Sequence, residues 1–304
     1  MDAAEPSAAA SRTRVRLDIA YDGSDFSGWA RQPGRRTVQG ELEAHLAALF
    51  HRTGANPALT VAGRTDVGVH ATGQVAHVDL GPAELDVLDR MRGDATTRGP
   101  ASLARRLNGI AGTTSDVVVR ASAVAPPGFD ARFAALWRRY EYRIADGRVA
   151  RDPRMRAFTL WHPGDLDEAA MESAARSLLG LHDFAAFCRP REGATTIRTL
   201  QDFSWRRDAD GVLVAEVRAD AFCHSMVRAL VGACIAAGEG RLADGAAARL
   251  RDAGERTSAF KVVPARGLTL VEVGYPPDAE LAARAELTRA RRGADDLAIP
   301  TSID

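Results

Sequence analysis

One glycine-rich segment contains several groups with which a protein can do chemistry. It covers residues 62–74, and its sequence is AGRTDVGVHATGQ. Glycines at this density let the backbone adopt positive φ angles and approach a ligand closely. A carboxylate in such a loop, here that of Asp66, can act as a nucleophile, a general base or a metal ligand. An ordinary polar turn, in which Asp66 accepts hydrogen bonds from nearby backbone amides, fits the same sequence.

A metal site is the weakest of these interpretations. Asp66 and His70 are four positions apart, but no second carboxylate or histidine cluster accompanies them. The three cysteines make an odd number without a CxxC spacing; they are Cys188, Cys223 and Cys234. This pattern predicts free structural thiols in a reducing cytoplasm, without a disulfide framework or a zinc site.

Two further segments combine cations with aromatic or helical positions. Residues 129–142 contain FDARF and RRYEY, in which arginines alternate with aromatic residues. Such a strand can hold phosphates and stack an unpaired base, although an amphipathic strand with a solvated arginine face explains it equally well. In AFCHSMVR, residues 221–228, His224 and Arg228 lie one helical turn apart. This pair can face a carboxylate or a phosphate, or it can form an ordinary solvated surface.

The composition is that of a soluble globular protein with one or two domains. The chain has 304 residues, of which 46% are hydrophobic and 26% charged. No apolar run approaches the roughly 20 residues of a membrane helix, and the N-terminus lacks the apolar stretch of a secretory signal. The formal net charge is zero, but a net charge is an average and permits a basic cleft. Nearly all cations are arginines, which bind phosphate bidentately, although a general bias towards arginine and alanine explains this too.

Hydrophobic periodicity predicts an α+β fold with antiparallel sheets. Residues 15–21 alternate with a period of two, and residues 38–52 repeat with the period of a helix. A similar order of strands and helices in both halves suggests a duplicated α+β unit. We expect a disordered tail at 1–13 and an N-terminal half at 14–125 that contains the glycine-rich loop. A C-terminal half at 126–276 and a C-terminal arm at 277–304 complete the prediction.

The glycine-rich segment resembles the signature of the tRNA pseudouridine synthase A family, in which the aspartate of GRTD is the catalytic residue. Other matching motifs follow in the family's order between Arg14 and Val273; they are YDG, F.GW.RQ, TVQGELE, FDARF, RRYEYRI, LLGLHDFAAFC, FCHSMVR and GLTLVEV. The chain departs from the family pattern at Val67, where alanine is common, and at Cys223 and Ser225, where bulkier residues stand. The Leu85–Pro100 stretch is longer than usual, and the tail past Pro277 lies outside the match.

The resemblance implies a pseudouridine synthase fold, with duplicated antiparallel sheet units and helices packed on one side. It also implies an isomerisation, in which uracil is detached from ribose C1′ and reattached through C5. The implied substrates are uridines 38, 39 and 40 in the anticodon stem-loop of tRNA. The implied enzyme is a cofactor-free, metal-free cytoplasmic homodimer that holds tRNA across both subunits, without contact with a membrane.

The resemblance also implies roles for individual residues. Asp66 is the nucleophile, and either ribose C1′ or the base is open as its target. Arg228 pairs with this aspartate and keeps it ionised. Tyr140 stacks on the flipped uracil and moves a proton, whereas Tyr142 is expected in the core. Arg64 helps the base to leave the helical stack. Candidates for contacts with tRNA phosphates are Arg132, Arg138 and Arg139.

Three other functions compete with this interpretation. A tRNA-binding module without catalysis predicts a broken GRTD motif, but Asp66, Tyr140 and Arg228 are all present. A nucleoside hydrolase or glycosidase normally needs a second acid, and no paired carboxylate motif is evident. A related enzyme that acts on other tRNA positions or other RNAs is the third alternative, and the sequence leaves it open.

Overall fold

A computed structural model describes residues 12–90, 98–189 and 195–289. These residues form ten strands and seven α-helices. The strands are β1 (Thr13–Tyr21), β2 (Thr60–Val61), β3 (His70–Leu80), β4 (Val117–Val124), β5 (Trp137–Ala145), β6 (Leu160–Trp161), β7 (Gly180–Asp183), β8 (Ile197–Arg207), β9 (Leu213–Ala219) and β10 (Leu268–Gly274). The helices are α1 (Val38–Leu49), α2 (Pro82–Asp89), α3 (Leu103–Ala111), α4 (Glu168–Arg176), α5 (Met226–Gly238), α6 (Ala246–Ala253) and α7 (Leu281–Arg289).

All ten strands belong to one sheet. Its main order is β4-β1-β3-β10-β5-β9-β8-β7, with β2 beside β3 and β6 beside β5. The pairing among the described strands is antiparallel except for β10 with β3 and β6 with β5. The α+β class with a mostly antiparallel sheet, as predicted, is therefore confirmed. Because β10 lies between β3 and β5, both predicted halves contribute to the same sheet.

Local sequence patterns explain the main elements. In β1 the alternate residues from Val15 to Tyr21 are buried, as a period of two requires. Helix α1 begins after Thr37, whose side chain accepts a hydrogen bond from the Gly40 amide and so caps the helix. Helix α5 is buried at twelve of its thirteen residues, including Gly232, and therefore lies in the interior of the fold.

The segments outside the core are described only in part. The predicted tail lies outside the described residues up to position 11, and Thr13 already begins β1. The long Leu85–Pro100 stretch contains the end of α2, but residues 91–97 lie outside the described part. In the arm, α7 buries Leu281 and Ala285, whereas residues 290–304 are not described. None of the described helices is long and apolar enough to span a membrane.

The four tyrosines of the chain give a test of this packing. Burial raises the pKa of Tyr21 to about 12, and it raises the pKa of Tyr140, Tyr142 and Tyr275 further. Above pH 10, the ordinary tyrosine pKa, the unfolded chain loses phenolic protons that the folded chain keeps. The free energy of unfolding should therefore fall as the pH rises from this value towards the folded-state pKa values.

We expect phenolate absorbance at 295 nm to appear together with the loss of far-ultraviolet circular dichroism during an alkaline titration. Tyr21→Phe should reduce the pH dependence of the unfolding free energy above pH 10. Phenolate absorbance at its full free-tyrosine level in a protein with intact circular dichroism would contradict the described burial.

Candidate active site

Asp66 lies in the loop between β2 and β3, and its side chain is 32% exposed. Three side chains at the start of α5 face its carboxylate. The Ser225 Oγ lies 3.4 Å from Oδ2, and Nη1 of Arg228 lies 3.8 Å from the same oxygen. The Nε2 of His224 lies 3.7 Å from Oδ1. The carboxylate thus has hydroxyl and basic neighbours on one side, while part of its surface is open to a ligand.

The simple polar-turn interpretation of Asp66 does not match these contacts. Among the described residues, no backbone amide donates a hydrogen bond to its carboxylate, and its only hydrogen-bond donor is Ser225. The backbone carbonyl of Asp66 accepts from the Val69 amide, which closes the turn. The local fold therefore uses the main chain of this residue and leaves the carboxylate available.

The position of Arg228 is fixed by a second contact. Its Nε donates to the Val263 carbonyl at 2.7 Å, and the Val263 amide donates to the Arg228 carbonyl at 3.2 Å. The guanidinium consequently lies between the backbone before β10 and the carboxylate of Asp66. Of the two alternatives for the His224–Arg228 pair, the structure shows the one in which both side chains face an acid.

Ser225 is a site residue that the sequence analysis missed. Its φ of 64° makes it the one described non-glycine residue with a positive φ. This conformation costs an L-residue about 1–3 kcal/mol and tends to occur at functional sites. No local pattern in the sequence indicates it, because serine adopts the left-handed region only when its surroundings require it.

Tyr140 lies in β5 and is 8% exposed. Its ring packs edge-to-face against Phe222, with ring centroids 5.1 Å apart. Among the described residues its hydroxyl has no hydrogen-bond partner. Burial raises the pKa of this phenol far above its ordinary value, so it remains protonated at neutral pH. A ligand could therefore receive both a ring contact and a hydrogen bond from Tyr140, whereas Tyr142 is fully buried as expected.

Polar contacts beneath the loop hold it in place. The hydroxyl of Tyr21 lies 2.8 Å from Oγ1 of Thr65. The Gln74 amide donates to the Tyr21 hydroxyl at 3.2 Å and to the Gly63 carbonyl at 2.9 Å. The Trp29 amide donates to the Thr65 carbonyl. Tyr21 and Trp29 lie in the motifs YDG and F.GW.RQ, and Gln74 ends the glycine-rich segment, but their residue types indicate no supporting role.

Two glycines allow close backbone approach around the loop. A Cβ atom at Gly23 would lie 2.0 Å from the Val69 carbonyl oxygen. A Cβ atom at Gly73 would lie equally close to the Val271 carbonyl oxygen in β10. Neither position accepts a side chain without backbone movement, which explains why glycine flanks the loop on both sides.

His70 has a structural position. It is 1% exposed, its Nδ1 accepts a hydrogen bond from the Gly23 amide, and its Nε2 lies 2.8 Å from the Ala157 carbonyl oxygen. Both ring nitrogens thus contact backbone groups, and Nδ1 also lies 3.1 Å from a carboxylate oxygen of Asp22. Within the described ranges, no group of three or more His, Cys, Asp and Glu side chains could hold a metal ion.

The predicted arginines differ in their surroundings. Arg64 is exposed, two positions before Asp66, and Arg132 is exposed with its guanidinium 5.1 Å from the Phe133 ring centroid. Neither contacts Asp66, and neither forms an ion pair with a described residue. Both guanidinium groups are accessible to an anion. The structure thus leaves these two candidates in place but does not bring them to the carboxylate.

The prediction that Arg138 contacts tRNA phosphates is wrong. This residue is 8% exposed, and burial lowers the pKa of its guanidinium. Its Nη1 donates to the Asp220 carbonyl at 2.7 Å, and its Nη2 donates to the carbonyls of Ala62 and Arg132 at 2.7 and 3.0 Å. The alternation on the strand places Arg138 on the buried face, where it connects three backbone segments.

Arg139 lies on the opposite face of β5 from Arg138 and forms ion pairs with two carboxylates. Its guanidinium lies 3.2 Å from a Glu216 oxygen and 2.8 Å from a Glu272 oxygen. Two carboxylates on neighbouring strands therefore neutralise this cation, and it is a weaker phosphate ligand than the sequence suggested.

The prediction of three free thiols is also wrong. Cys188 and Cys223 form a disulfide, with Cα atoms 5.7 Å apart, whereas Cys234 is free and buried. A separation in this range is typical of disulfides. The pairing joins positions 35 residues apart, and the sequence contains no spacing that indicates it. The tertiary fold brings the two segments together.

The contribution of the buried hydrogen bonds of Arg138 to stability can be tested by substitution. In Arg138→Met, three backbone carbonyls lose their donor, so the free energy of unfolding should fall by about 2 kcal/mol. Urea denaturation of the purified variant measures this change. Arg139→Met, on the other face of the same strand, is the matched control and should lose less than about 1 kcal/mol. Equal losses of unfolding free energy in the two variants would show that the buried contacts of Arg138 stabilise the fold no more than the surface ion pairs of Arg139.

Comparisons with known proteins indicate the family of the chain. A profile of the family described as tRNA pseudouridine synthase matches residues 174–276. The chain is similar to tRNA pseudouridine synthase A of Leifsonia xyli, with 63% identity over 281 residues, which cover 92% of this chain and 98% of the relative. It is 56% identical to the enzyme of the same name from Frankia casuarinae, over 92% of this chain and 95% of the relative. It is 47% identical to that of Mycobacterium leprae over the same shares.

The first of these matches places the C-terminal part of the chain among the tRNA pseudouridine synthases, a class of isomerases. The near full-length matches are more specific, and the chain belongs to the tRNA pseudouridine synthase A family. The family resemblance of the sequence motifs is therefore confirmed.

Proposed function

We propose that the chain converts uridine to pseudouridine at positions 38, 39 and 40 in the anticodon stem-loop of tRNA, with Asp66 as nucleophile. As a member of its family it is an isomerase that acts on tRNA uridine. The observation that supports the finer proposal is the environment of Asp66. Its carboxylate is partly open to solvent and faces Arg228, His224 and Ser225.

The chemistry requires a carboxylate beside the sugar. Detaching uracil from C1′ develops positive charge on the ribose, and the carboxylate of Asp66 would stabilise this charge or form a covalent adduct. Attack at C1′ and attack on the base both remain compatible with the site. Arg228, with Nη1 3.8 Å from Oδ2, attracts the negative charge of the free carboxylate and holds it in place. The uracil then turns and bonds through C5, with no cofactor.

Tyr140 would hold the detached base. A uracil that has left its helical stack needs an aromatic surface and a hydrogen-bond partner. Tyr140 would supply both, with its aromatic ring, which packs at a right angle to Phe222, and with a hydroxyl that has no partner among the described residues. The phenol is protonated at neutral pH because burial raises its pKa. It can therefore donate a hydrogen bond to the base and take part in proton movement at C5.

The exposed arginines would contact the RNA. Arg64 lies on the same loop as Asp66, so a base that flips towards the carboxylate leaves a space that this side chain can fill. Arg132 would bind a phosphate. These two cations are exposed and free of ion pairs within the described residues, so both are available to RNA phosphates.

Assembly and location are further parts of the proposal. We expect a cytoplasmic homodimer that holds one tRNA across both subunits, because three neighbouring target positions require recognition of tRNA shape more than of base edges. Sedimentation equilibrium of the free protein tests the dimer.

Asp66→Asn tests the role of the carboxylate. We expect this variant to lose pseudouridine formation in an unmodified tRNA transcript, while its affinity for the tRNA changes little, because the amide removes the nucleophile and keeps the shape of the side chain. Release of tritium from uracil C5 measures the reaction, and filter binding measures the affinity. Asp210→Asn, in the exposed turn between β8 and β9, is the matched control and should retain full activity.

The target positions need a separate measurement. Pseudouridine should be absent from positions 38–40 of tRNA from cells that lack this protein, and the wild-type gene should restore it. Persistence of pseudouridine at these positions would refute the site assignment, and loss at other positions would favour the related enzyme of different specificity.

Salt dependence tests the two accessible arginines. The affinity for tRNA should fall steeply with salt, because phosphate contacts release counterions. Arg132→Ala should reduce the slope of log affinity against log salt by about 1. Arg139→Ala should leave the slope nearly unchanged, since this cation is paired with Glu216 and Glu272. Equal slopes in the wild-type protein and Arg132→Ala would exclude a phosphate contact at Arg132.

A further inference from the structure

A disulfide lies at the edge of the candidate active site. It joins Cys188, which follows β7, to Cys223, which precedes α5. A backbone hydrogen bond of 3.0 Å from the Arg189 amide to the His224 carbonyl connects the same two segments. The fold therefore holds the segments together by a backbone contact, and the sulfur atoms can meet without any further arrangement of the chain.

Cys223 lies between residues that contact Tyr140 and Asp66. Its predecessor Phe222 packs against the Tyr140 ring. The two residues after it face Asp66, at 3.7 Å for the His224 Nε2 and 3.4 Å for the Ser225 Oγ. A covalent bond at Cys223 consequently restricts the backbone that positions three side chains of the site.

The two cysteines differ in exposure, since Cys188 is 2% exposed and Cys223 is the one that a small reagent can reach. Cys188 lines a cavity of about 380 Å³, which Ser225 borders on the side of the active site. Two exposed arginines, Arg189 and Arg256, also border it and would attract an anionic reagent. Cys223 is only half-buried.

The third cysteine differs from this pair. Cys234 is fully buried in α5, and burial raises the pKa of its thiol to about 12. A thiol that ionises so weakly in a closed interior is inert towards thiol–disulfide exchange. It therefore serves as an internal reference for the other two.

We propose that Cys188 and Cys223 form a site of reversible thiol oxidation by an anionic low-molecular-weight disulfide, and that their cross-link lowers the turnover of the enzyme. The proposal rests on the role of Asp66 and on the cytoplasmic location proposed above. Because the reducing cytoplasm keeps most protein thiols free, disulfides there are usually transient or redox-sensing. The reduced pair is then the working form, and the cross-linked form appears under oxidising conditions.

The exchange proceeds in two balanced steps. The more exposed Cys223, as thiolate, attacks one sulfur of the small disulfide. This step forms a mixed disulfide between Cys223 and one half of the reagent, and the other half leaves as a thiolate. The Cys188 thiolate then attacks the Cys223 sulfur and releases the second small thiol. The two protein thiols lose two electrons and two protons, and the small disulfide gains them as two thiols.

The cross-link acts on the approach of the substrate. In the described disulfide state, Ser225 holds its left-handed conformation and its hydroxyl lies against Oδ2 of Asp66. A ribose that binds at the open part of this carboxylate lies beside the Ser225 hydroxyl and the His224 ring, and a closer approach requires these groups to move. When the pair is reduced, residues 222–225 can move together to admit it, whereas the disulfide ties them to Cys188.

The test uses the full-length protein with oxidised glutathione as the probe. Titration of thiols in denaturant should give three thiols per chain before treatment with oxidised glutathione and one after it. The kcat of pseudouridine formation should fall at least about tenfold, because small misplacements in a site have effects of this size. Dithiothreitol should restore it. Cys223→Val should keep the same rate in both conditions, because it lacks the attacking thiol. Cys188→Ala should stop at the mixed disulfide of Cys223 with glutathione. Cys234→Ala, the matched control, should respond like the wild type.

Two results would overturn the proposal. One is a thiol count that stays at three under conditions that oxidise small dithiols. The other is a count of one with an unchanged or increased kcat. If instead the reduced protein forms no pseudouridine in tRNA, the proposed function fails, while the thiol count of the same sample still reports on the cysteine pair.

Discussion

The geometry of the site depends on one buried cation. A guanidinium inside a protein is costly unless its donors are satisfied, and Arg138 satisfies them with three backbone carbonyls. One carbonyl, that of Ala62, belongs to the start of the Asp66 loop. Another, that of Asp220, lies at the beginning of the segment that leads to Ser225. One buried side chain thus connects the two sides of the candidate active site.

Much of the fold follows from local patterns in the sequence. The period of two in β1 and the apolar stripe of α1 predict these elements closely, because each element buries a face that its own sequence defines. The order of strands in the sheet does not follow from such patterns. The place of β10 between β3 and β5 depends on pairing between residues far apart in the chain. At Gly73 the backbone of β10 comes too close for a Cβ atom.

The site was predictable where a motif defined it. Asp66, Arg228 and Tyr140 are in the motifs, and the structure brings the first two within 3.8 Å. Burial and pairing were not predictable from residue types. An arginine on an alternating strand is a surface ligand on one face and an internal support on the other. A cysteine pair likewise depends on which loops meet, as Cys188 and Cys223 show.

The central position of β10 has a consequence for the order in which the chain becomes functional. β10 pairs in parallel with β3 at His70 and Ala71, immediately after the Asp66 loop, and it also pairs with β5. During synthesis both of these strands emerge early, and their inner edges stay open until residues 268–274 are made. A nascent or truncated chain without β10 therefore lacks the support on which its loop rests. The sheet around the Asp66 loop can therefore close only after β10 has been synthesised.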